Sequence, residues 1–361
     1  MNLRMLALPR YAQLGASSRL RTLQYLPALM SAGIQCDVHS LLDDDYVSGL
    51  YTGQIRKAGV AKSYVARIAQ LLRSGQYDLV WTEKELLPWL PDWVELGLLS
   101  SRTRLVVDCD DAVFHRYDQH SSRLVRCVLG AKIDSVMRRA DLVTAGSRYL
   151  ADRALKAGAN RVEIIPTVID LARYQIGSPP SRVDDEVVIG WIGSPSTAGY
   201  LTELTEPLRA LQSKYTLRCL AIGARPAQLE GTPFEAVTWT EESEVTQLRR
   251  FDIGVMPLPD MPWERGKCGY KLIQYMALGL PVVASAVGAN LDVVEDGKCG
   301  ALVRTQGEWE NALETLIVDA KRRKKMGEAG RKRVEDTYSQ QVQAPRLVKF
   351  LRDLATGPLR P

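Results

Sequence analysis

The chain has 361 residues, of which 46% are hydrophobic and 25% charged, and its formal net charge is +5. This composition excludes a disordered or fibrous protein, and the length is sufficient for two cores of ordinary domain size. A nucleic-acid-binding protein usually concentrates far more basic charge on one face, so we expect no nucleic acid among the partners. The mild charge is compatible with anionic small molecules or an anionic membrane surface.

Six cysteines are scattered along the chain without a CxxC pair, which indicates a reducing compartment and no zinc site. The N-terminal apolar run ends at Pro9, too early for the core of a signal peptide, and no apolar run is long enough to span a bilayer. We therefore expect a cytoplasmic protein, with peripheral contact to the cytoplasmic face of the inner membrane as a further hypothesis.

In the first half, short apolar runs alternate with longer amphipathic runs, which is typical of parallel sheets joined by crossover helices. The apolar runs predict strands at 4–8, 35–40, 78–82, 104–108, 142–145 and 162–165. The amphipathic runs predict helices at 18–31, 60–74, 124–139 and 148–157, the first with a kink at Pro27. Between them, the acidic run 43–45 is interpreted as a loop or a helix cap.

The polar, proline-bearing segment 177–186 interrupts the alternation and is typical of a linker. The pattern then restarts, with predicted strands at 187–194, 217–222, 236–239, 253–256 and 281–284, helices between them, and a charged helical stretch at 311–354. Two doubly wound α/β halves follow from this pattern. We assign the domains to residues 1–172 and 187–337, the linker to 173–186, and a final helix to 338–361. The basic run 321–325 is interpreted as a solvated helix face, with anionic lipid as an alternative contact.

Three cations, Arg265, Lys267 and Lys271, lie at or just inside the start of an apolar helix that ends at Gly279. A helix start carries unpaired N–H groups and the positive end of the helix dipole, so additional cations there indicate a bound anion, such as a diphosphate. A solvated charged face is the alternative interpretation. The apolar residues after Lys271 predict a mostly buried helix and favour the anion.

Each half opens with a strand that leads into a turn of small residues and then a helix. The two turns comprise Gly15, Ala16, Ser17 and Arg19 in the first half, and Gly193, Ser194 and Ser196 in the second. Small residues let a ligand approach the backbone, and serine caps a helix. Phosphate binding and helix capping alone both remain open for these turns, and neither contains GxGxxG.

Three carboxylates, Asp108, Asp110 and Asp111, follow one another at the end of a predicted strand, and His115 comes shortly after. An Asp-x-Asp pair at such a place also holds a divalent ion in metal-dependent sugar transferases. Those enzymes have one Rossmann-like half, whereas this chain has two, so we predict no metal site. A helix cap at Asp110 or Asp111 is a third interpretation.

The run 271–285 resembles the donor-site motif of retaining GT-B glycosyltransferases of family 4 (group 1), and so do the segments 165–170 and 288–297. The likeness extends over nearly the whole chain and is strongest in the second half. It implies a GT-B fold, with two Rossmann-like domains facing a central cleft. It also implies that the nucleotide-sugar binds mainly to the C-terminal domain and the acceptor to the N-terminal one, and that the last helix crosses back to the N-terminal domain.

The chain departs from the family pattern in the donor motif. Where the family has two glutamates separated by seven residues, this chain has Gly266 and Gln274. In the family the first contacts the sugar and the second binds the ribose hydroxyls, a role that Gln274 can still fill by hydrogen bonding. Whether Glu264 replaces the first glutamate stays open. The expected donor-binding set is completed by Cys268, Gly269 and Tyr270.

The sequence thus predicts a retaining, metal-independent glycosyltransferase that moves a sugar from a nucleotide-diphosphate sugar to a hydroxyl of a glycan or lipid-linked acceptor in cell-surface polysaccharide synthesis. No cofactor is expected besides the donor substrate. Preorganised cations lower the barrier by binding the charge that grows on the leaving diphosphate. The expected catalytic residues are Arg265, Lys267 and Lys271 for this charge, and Asp111 and His115 for orienting acceptor or sugar. Two alternatives remain: a sugar-nucleotide 2-epimerase of the same shape, and a non-catalytic nucleotide-sugar-binding subunit.

Overall fold

The computed structural model describes residues 3–52, 57–177 and 186–357, and it contains two six-stranded parallel sheets. Their strands are short apolar runs covered on both faces, as expected of parallel strands between two layers of helices. The first sheet consists of β1 (Leu3–Leu8), β2 (Ile34–Val38), β3 (Leu79–Glu83), β4 (Arg104–Cys109), β5 (Leu142–Ala145) and β6 (Val162–Ile164). The second consists of β7 (Val187–Ile192), β8 (Leu217–Ile222), β9 (Phe234–Val237), β10 (Ile253–Met256), β11 (Val282–Ser285) and β12 (Gly300–Val303).

The strand orders show where each sheet changes direction. The first has the order β2-β1-β3-β4-β5-β6 and the second β12-β11-β10-β7-β8-β9. In the first sheet, β2 lies beyond β1 on one side, and β4, β5 and β6 lie beyond β3 on the other. In the second sheet, β8 and β9 lie beyond β7 on one side, and β11 and β12 lie beyond β10 on the other. The sheets thus change direction between β1 and β3 and between β7 and β10. Ligands of open α/β sheets bind outside the carboxyl ends of the strands at such switch points, so these two places are where a site is expected.

Helices connect these strands. The helices up to residue 167 are α1 (Ala16–Arg21), α2 (Leu26–Ser31), α3 (Asp44–Thr52), α4 (Lys57–Leu72), α5 (Asp92–Gly97), α6 (Phe114–Asp118), α7 (Arg123–Leu129), α8 (Lys132–Arg139) and α9 (Arg148–Lys156). The later ones are α10 (Thr205–Gln212), α11 (Glu244–Leu248), α12 (Pro262–Arg265), α13 (Tyr270–Ala277), α14 (Asn290–Val293), α15 (Gln306–Val318), α16 (Ala320–Thr337) and α17 (Gln340–Thr356). In the part of the chain that is described, no helix combines the length and the apolar character needed to cross a membrane.

The chain divides into two compact units. The first comprises Met1–Thr167, Arg265–Cys268 and Gln343–Pro361, and the second comprises Val168–Glu264 and Gly269–Val342. Residues 168–172 thus belong to the second unit and 265–268 to the first, contrary to the predicted boundaries. The first difference has a clear cause, because Ile169 is buried in the second core and exchanges backbone hydrogen bonds with Tyr338 and Gln340. Most of the predicted linker, residues 178–185, lies outside the described residues.

Alternation along β7 shows how the second sheet is covered. Ile189 and Trp191 belong to one apolar cluster, whereas Val188 and Ile192 belong to another. Because successive side chains of a strand point to opposite faces, each face of the sheet has its own core. These two cores hold the carboxyl ends of β7 and β10 in fixed positions.

The predicted doubly wound α/β class is confirmed, with differences in detail. The predicted helix 18–31 is divided into α1, a 3₁₀ turn at Leu23–Tyr25, and α2, so the break precedes Pro27. Pro27 lies in the first turn of α2, where its missing N–H is not needed. The predicted helix 124–139 is divided into α7 and α8, and β9 begins at Phe234, before its predicted start at 236. The helix-cap interpretation of the acidic run 43–45 is confirmed, since Asp43 accepts a hydrogen bond from the Tyr46 N–H at the start of α3.

Candidate functional site

A buried lysine follows β3 at the switch point of the first sheet. Lys84 is 5% exposed, and its backbone φ of 65° is left-handed, which lysine rarely adopts. Its Nζ lies 2.7 Å from Oδ1 of Asp110 and 2.9 Å from Oγ of Ser17. Backbone strain persists only where the surroundings impose it, and strained, buried charges cluster at functional sites. Lys84 is therefore a candidate site residue that the sequence did not indicate.

The two carboxylates near Lys84 differ in their affinity for a proton. Burial by itself raises the pKa of Asp110, but the charges of Lys84 and Arg21 outweigh it and hold this pKa below its ordinary value. Burial and the charge of Asp110 raise the pKa of Asp111. Oδ1 of Asp111 lies 3.6 Å from Nζ of Lys267. The structure thus brings together two predicted residues, Asp111 and Lys267, and makes Asp110 the more strongly ionised carboxylate.

The first small-residue turn faces carboxylates. Oγ of Ser17 is hydrogen-bonded to the carboxylates of Glu83 and Asp110, and Oγ of Ser18 donates to Oε2 of Glu83. These hydroxyls are therefore committed to internal hydrogen bonds. Gly15 precedes α1 as its N-cap, Ala16 is its first residue, and the half-buried Arg19 donates to the Gln13 carbonyl. Phosphate binding by this turn stays a prediction that depends on its backbone groups and Arg19.

A buried ion pair fixes the end of β4. Nε and Nη2 of Arg21 donate to Asp108 at 2.9 and 2.7 Å, and Oγ1 of Thr144 donates to the same carboxylate at 2.6 Å. Nη1 of Arg21 donates to the Ile165 carbonyl at 2.7 Å. Because both oxygens of Asp108 are occupied, this arrangement disfavours the alternative in which Asp108 and Asp110 share a divalent ion.

Both ring nitrogens of His115 have partners. Nδ1 lies 2.9 Å from Oδ1 of Asp118, and Nε2 lies 2.8 Å from the hydroxyl of Tyr149. Burial raises the pKa of Tyr149, and the charge of Arg265 opposes this. His115 therefore orients Tyr149, which the sequence did not indicate, and its predicted role toward acceptor or sugar stays a prediction.

The segment 265–268, which groups with the first unit, is tightly packed there. A Cβ added to Gly266 would lie 2.4 Å from Cβ of Ala112, and one added to Gly146 would lie 2.4 Å from Sγ of Cys268. Sγ of Cys268 donates to the Asp110 carbonyl at 3.0 Å. The family's first glutamate position therefore has no room for a side chain in this protein, which explains the glycine. Cys268 has a packing role here, and its predicted donor contact is untested.

In the second unit, Lys271 and the second small-residue turn come together. Nζ of Lys271 lies 5.2 Å from the ring centre of Trp191, over its face. A Cβ added to Gly193 would lie 2.3 Å from the Trp191 ring and 2.8 Å from Cε of Lys271. Only glycine leaves space for this lysine at the carboxyl end of β7. The turn continues with Ser194 and Ser196, whose hydroxyls are 2.8 Å apart.

The helix that carries Lys271 begins at Tyr270, so only Lys271 of the three predicted cations lies inside it. Arg265 is instead the last residue of α12, and Lys267 lies between the two helices, contrary to the prediction. Gly269 is the N-cap of α13 with a left-handed φ of 66°, and no side chain caps the helix there. Tyr270 and Lys271 are its first two residues, so their backbone N–H groups lie at the positive end of the helix dipole. α13 is otherwise almost wholly buried and ends before Gly279. An ammonium group, a glycine turn and a helix start thus adjoin the β7/β10 switch point.

Gln274 belongs to a buried polar network. It is 2% exposed, and its Nε2 donates to the hydroxyl of Tyr174 at 2.8 Å. Tyr174 donates in turn to Oε1 of Glu244, and Nε1 of Trp239 donates to Oε2 of Glu244 at 2.8 Å. The sequence gives no signal for these three partners, because they are far from Gln274 along the chain. The ribose contact proposed for Gln274 stays a prediction.

Glu264 is a buried carboxylate in the same unit. It is 9% exposed, and the Tyr200 hydroxyl donates to its Oε1 at 2.6 Å. Tyr200 lies in the 3₁₀ segment Pro195–Leu204 that follows the Gly193 turn. Glu264 therefore has a fixed orientation, as a sugar-binding carboxylate needs, and its replacement of the missing glutamate stays a hypothesis.

A cavity of about 780 Å³ opens beside the segments that follow β1 and β2. Its polar lining includes His39, Asp43, Asp45, Tyr46, Lys62 and Gln70. Pockets for small ligands usually have about 300–1,000 Å³. This cavity lies in the first unit and is large enough to hold a sugar.

Comparison with known proteins agrees with this geometry. Residues 186–319 match the model of the family Glycosyl transferases group 1. The capsular polysaccharide biosynthesis glycosyltransferase CapM of Staphylococcus aureus is 27% identical over 169 residues, covering 44% of this chain and 44% of CapM. The D-inositol 3-phosphate glycosyltransferase of Stackebrandtia nassauensis is 28% identical over 200 residues, covering 47% of this chain and 44% of that enzyme. The matches thus span less than half the length of these curated relatives.

Solved structures share the fold over nearly the whole chain. The crystal structure of Anabaena Alr3699/HepE in complex with UDP has a TM-score of 0.71 at 16% identity, covering 97% of this chain and 100% of that one. Sucrose-phosphate synthase from Thermosynechococcus elongatus has a TM-score of 0.70 at 17% identity, covering 97% of this chain and 99% of that one. With its two parallel sheets, the chain therefore has the GT-B fold.

Within this fold, residues 186–319, which contain the whole second sheet, are similar to the group 1 glycosyltransferases. The predicted resemblance to this group is confirmed over these residues. The predicted class of enzyme, a glycosyltransferase, stays a prediction for the whole chain. Assignment to family 4 in particular stays a prediction.

Proposed function

We propose that this protein is a retaining, metal-independent glycosyltransferase that transfers a sugar from a nucleotide-diphosphate sugar to a hydroxyl of a glycan or lipid-linked acceptor. The observation that carries the proposal is the position of Lys271 beside the Gly193 turn and at the start of α13. A lysine, a glycine turn and a helix start together provide charge and N–H donors for a diphosphate.

The comparisons favour a donor class and a pathway. HepE was solved with UDP and with UDP-glucose, which supports a uridine diphosphate sugar as the donor. The name of CapM supports cell-surface polysaccharide synthesis as the process. The acceptor of such a process is a growing glycan or its lipid carrier, and we place the reaction at the cytoplasmic side of the membrane.

The chemistry follows from where charge develops. The bond between the anomeric carbon and the β-phosphate oxygen breaks, and the electron pair goes to that oxygen. Lys271 and the N–H groups at the start of α13 bind the growing negative charge more strongly than the ground state, which lowers the barrier. The departing phosphate oxygen takes the proton of the acceptor hydroxyl, whose oxygen bonds to the anomeric carbon on the same face. No nucleophilic side chain is required.

The first unit supplies the groups that suit an acceptor. Asp110 is held ionised by Lys84, and Asp111, with its raised pKa and partial exposure, can accept a hydrogen bond from an acceptor hydroxyl. Lys267 adds positive charge next to Asp111, and Arg265 adds it near Tyr149. In this scheme Asp111 orients the hydroxyl, while Lys84 is a positioning residue that acts through Asp110.

The test begins with a thermal-shift screen against UDP, GDP, dTDP and CMP sugars, because a ligand that binds the folded state raises the melting temperature. Transfer is then followed by NMR, which we expect to show the anomeric configuration of the donor in the product and no loss of rate in EDTA. An inverted product, or a strict manganese requirement, would contradict the mechanism. Conversion of the donor alone to its epimer, or binding without transfer, would show one of the two alternative functions instead.

A further inference from the structure

Helix α7 turns an apolar stripe outwards. Leu124 is 73% exposed and Val128 is 49% exposed, one helical turn apart, and Cys127 beside them is also exposed. Only Leu129 of this helix is buried. A helix of a globular protein normally turns such a stripe to the core, so its exposure indicates an interaction outside the chain.

Two exposed tryptophans follow β3, one on the loop after Lys84 and one in α5. Trp89 is 47% exposed and Trp93 is 73% exposed, and no other tryptophan of the chain, all seven of which are described, is exposed to this extent. The ring of Trp89 contacts His120 edge-on, with centroids 5.9 Å apart. His120 accepts a hydrogen bond from the N–H of Ser122, the N-cap of α7. The indole of Trp89 is thus structurally connected to the exposed helix.

The loop that carries Trp89 is held in a strained conformation. Trp89 has a left-handed φ of 62°, which is unfavourable for a bulky residue. Its N–H donates to the hydroxyl of Tyr117 at 3.1 Å, and that hydroxyl donates to Oε2 of Glu85 at 2.8 Å. Nζ of the buried Lys132 lies 2.8 Å from the same oxygen. A buried network thus fixes a conformation that presents an indole to solvent, and strain of this kind points to function.

The segment that carries the stripe has charges of one sign, whereas Asp92 precedes Trp93 in α5. No acidic residue occurs between Asp118 and Asp134, and the exposed residues Arg123 and Arg126 flank the stripe. The carboxylate of Asp118 is engaged by Arg153 at 3.2 Å. Exposed leucine and tryptophan beside arginine are the residues of protein segments that lie in a membrane interface.

We propose that these residues form a surface that docks on an anionic phospholipid bilayer. This surface, called the α7 surface, comprises Trp89, Trp93, Leu124, Val128, Arg123 and Arg126. Its indoles lie at the level of the headgroups, its aliphatic side chains enter the acyl boundary, and its arginines bind lipid phosphates. This inference rests on the proposed function, in which a lipid-linked acceptor is presented by a bilayer. Lys84 and Trp89 lie on one short loop, so docking places the Lys84 cluster close to that bilayer.

Vesicle binding tests the proposal without any turnover. The full chain is sedimented with vesicles of phosphatidylcholine alone and with vesicles containing about 30 mol% phosphatidylglycerol. We expect binding to the anionic vesicles, and quenching of tryptophan fluorescence by brominated lipid, because the two exposed tryptophans insert. The double variant Leu124→Ser/Val128→Ser and the variant Trp93→Ser should each lower the vesicle partition coefficient about tenfold.

Matched controls separate this surface from general stickiness. Val65 and Met30 are 68% and 65% exposed in the same unit but outside the α7 surface, so Val65→Ser and Met30→Ser should bind vesicles like the parent. The double variant Lys324→Gln/Lys325→Gln removes charge from the exposed face of α16 and should also bind normally. Melting temperatures of all variants establish that they are folded.

Three outcomes would overturn the proposal: no binding to anionic vesicles, equal binding by all variants, or a loss in the controls alone. A fourth would overturn it too, namely α7-surface variants that keep vesicle binding but lose affinity for a water-soluble glycan acceptor, which would make the surface a sugar platform. The vesicle assay needs neither donor nor acceptor. Its result can therefore be interpreted even if the protein fails to transfer a sugar. Loss of vesicle binding with normal transfer to a soluble acceptor supports both proposals.

Discussion

Replacement of Lys271 by alanine is the most direct test of the proposed donor site. The substitution removes one unit charge beside Gly193 and the start of α13 but leaves the backbone N–H groups in place. Two unit charges about 4 Å apart interact by on the order of 4 kcal/mol near a protein surface. Loss of one preorganised transition-state donor costs about 10²–10³ in kcat. We therefore expect kcat to fall about a hundredfold or more.

The fold of this variant should be nearly unchanged. Lys271 is only partly buried, and its contact with the Trp191 ring at 5.2 Å is worth about 0.5–1 kcal/mol. A loss of that size shifts the melting temperature by only a few degrees, about 2–4 °C per kcal/mol. A large fall in kcat with a small fall in melting temperature would thus separate a catalytic role from a structural one.

The assay measures initial rates of sugar transfer at saturating donor. Lys271→Arg keeps the charge and should retain more activity than the alanine variant. Lys298→Ala is the matched control, since Lys298 belongs to the same unit, is 70% exposed and pairs only with the nearby Glu295 among the described residues. A near-normal kcat for Lys271→Ala, or an equal loss in the control, would refute the assignment.

Three further predictions concern stability. Arg21→Met leaves the charge of the buried Asp108 without its partner and should lower the free energy of unfolding by about 3–5 kcal/mol. Adding Asp108→Asn should recover part of this loss. An unchanged midpoint of chemical unfolding in Arg21→Met would contradict the buried ion pair. Burial raises the pKa of Glu95 from 4.5 to about 7, so the folded state favours the protonated form, and this stabilisation, complete below pH 4.5, is lost as the pH rises through about 7. The melting temperature of Glu95→Gln should therefore rise relative to the parent across this range, and a constant difference would disprove the pKa shift. Gly266→Ala should lower the melting temperature because its Cβ would lie 2.4 Å from that of Ala112 and 2.8 Å from the Ala112 backbone nitrogen. Adding Ala112→Gly removes only the first clash and should restore only part of the loss; a Gly266→Ala variant as stable as the parent would contradict the packing argument.

The regular elements could largely be predicted from sequence because hydrophobic period and burial coincide in them. The strand β4 and the helix α13 are examples, since their apolar residues are buried where the pattern places them. The strand β12 was missed because only four residues pair, and they carry no long apolar run. The helix predicted at 18–31 is divided because tertiary packing overrides a continuous amphipathic pattern.

The candidate site was predictable only where its residues share a segment. Lys271 and the Gly193 turn were selected separately, and their contact follows from folding of the second sheet. Lys84 gave no signal, because neither its left-handed backbone nor its burial can be recognised from neighbouring residues. The pairing of Arg21 with Asp108 joins residues that are 87 positions apart. Such long-range partners are set by topology, which a local pattern does not contain.

The unequal strand orders of the two sheets matter for anyone who builds hybrid enzymes from this protein and its relatives. In one sheet β1 has β2 and β3 as neighbours, whereas in the other β7 has β8 and β10. The turn after β1 is therefore next to the loop that follows β3, the third strand of its sheet in chain order. The turn after β7 is next to the loop that follows β10, the fourth strand of its sheet. A graft that copies Lys84 into the other half should replace Pro257, directly after β10, and not a residue after β9.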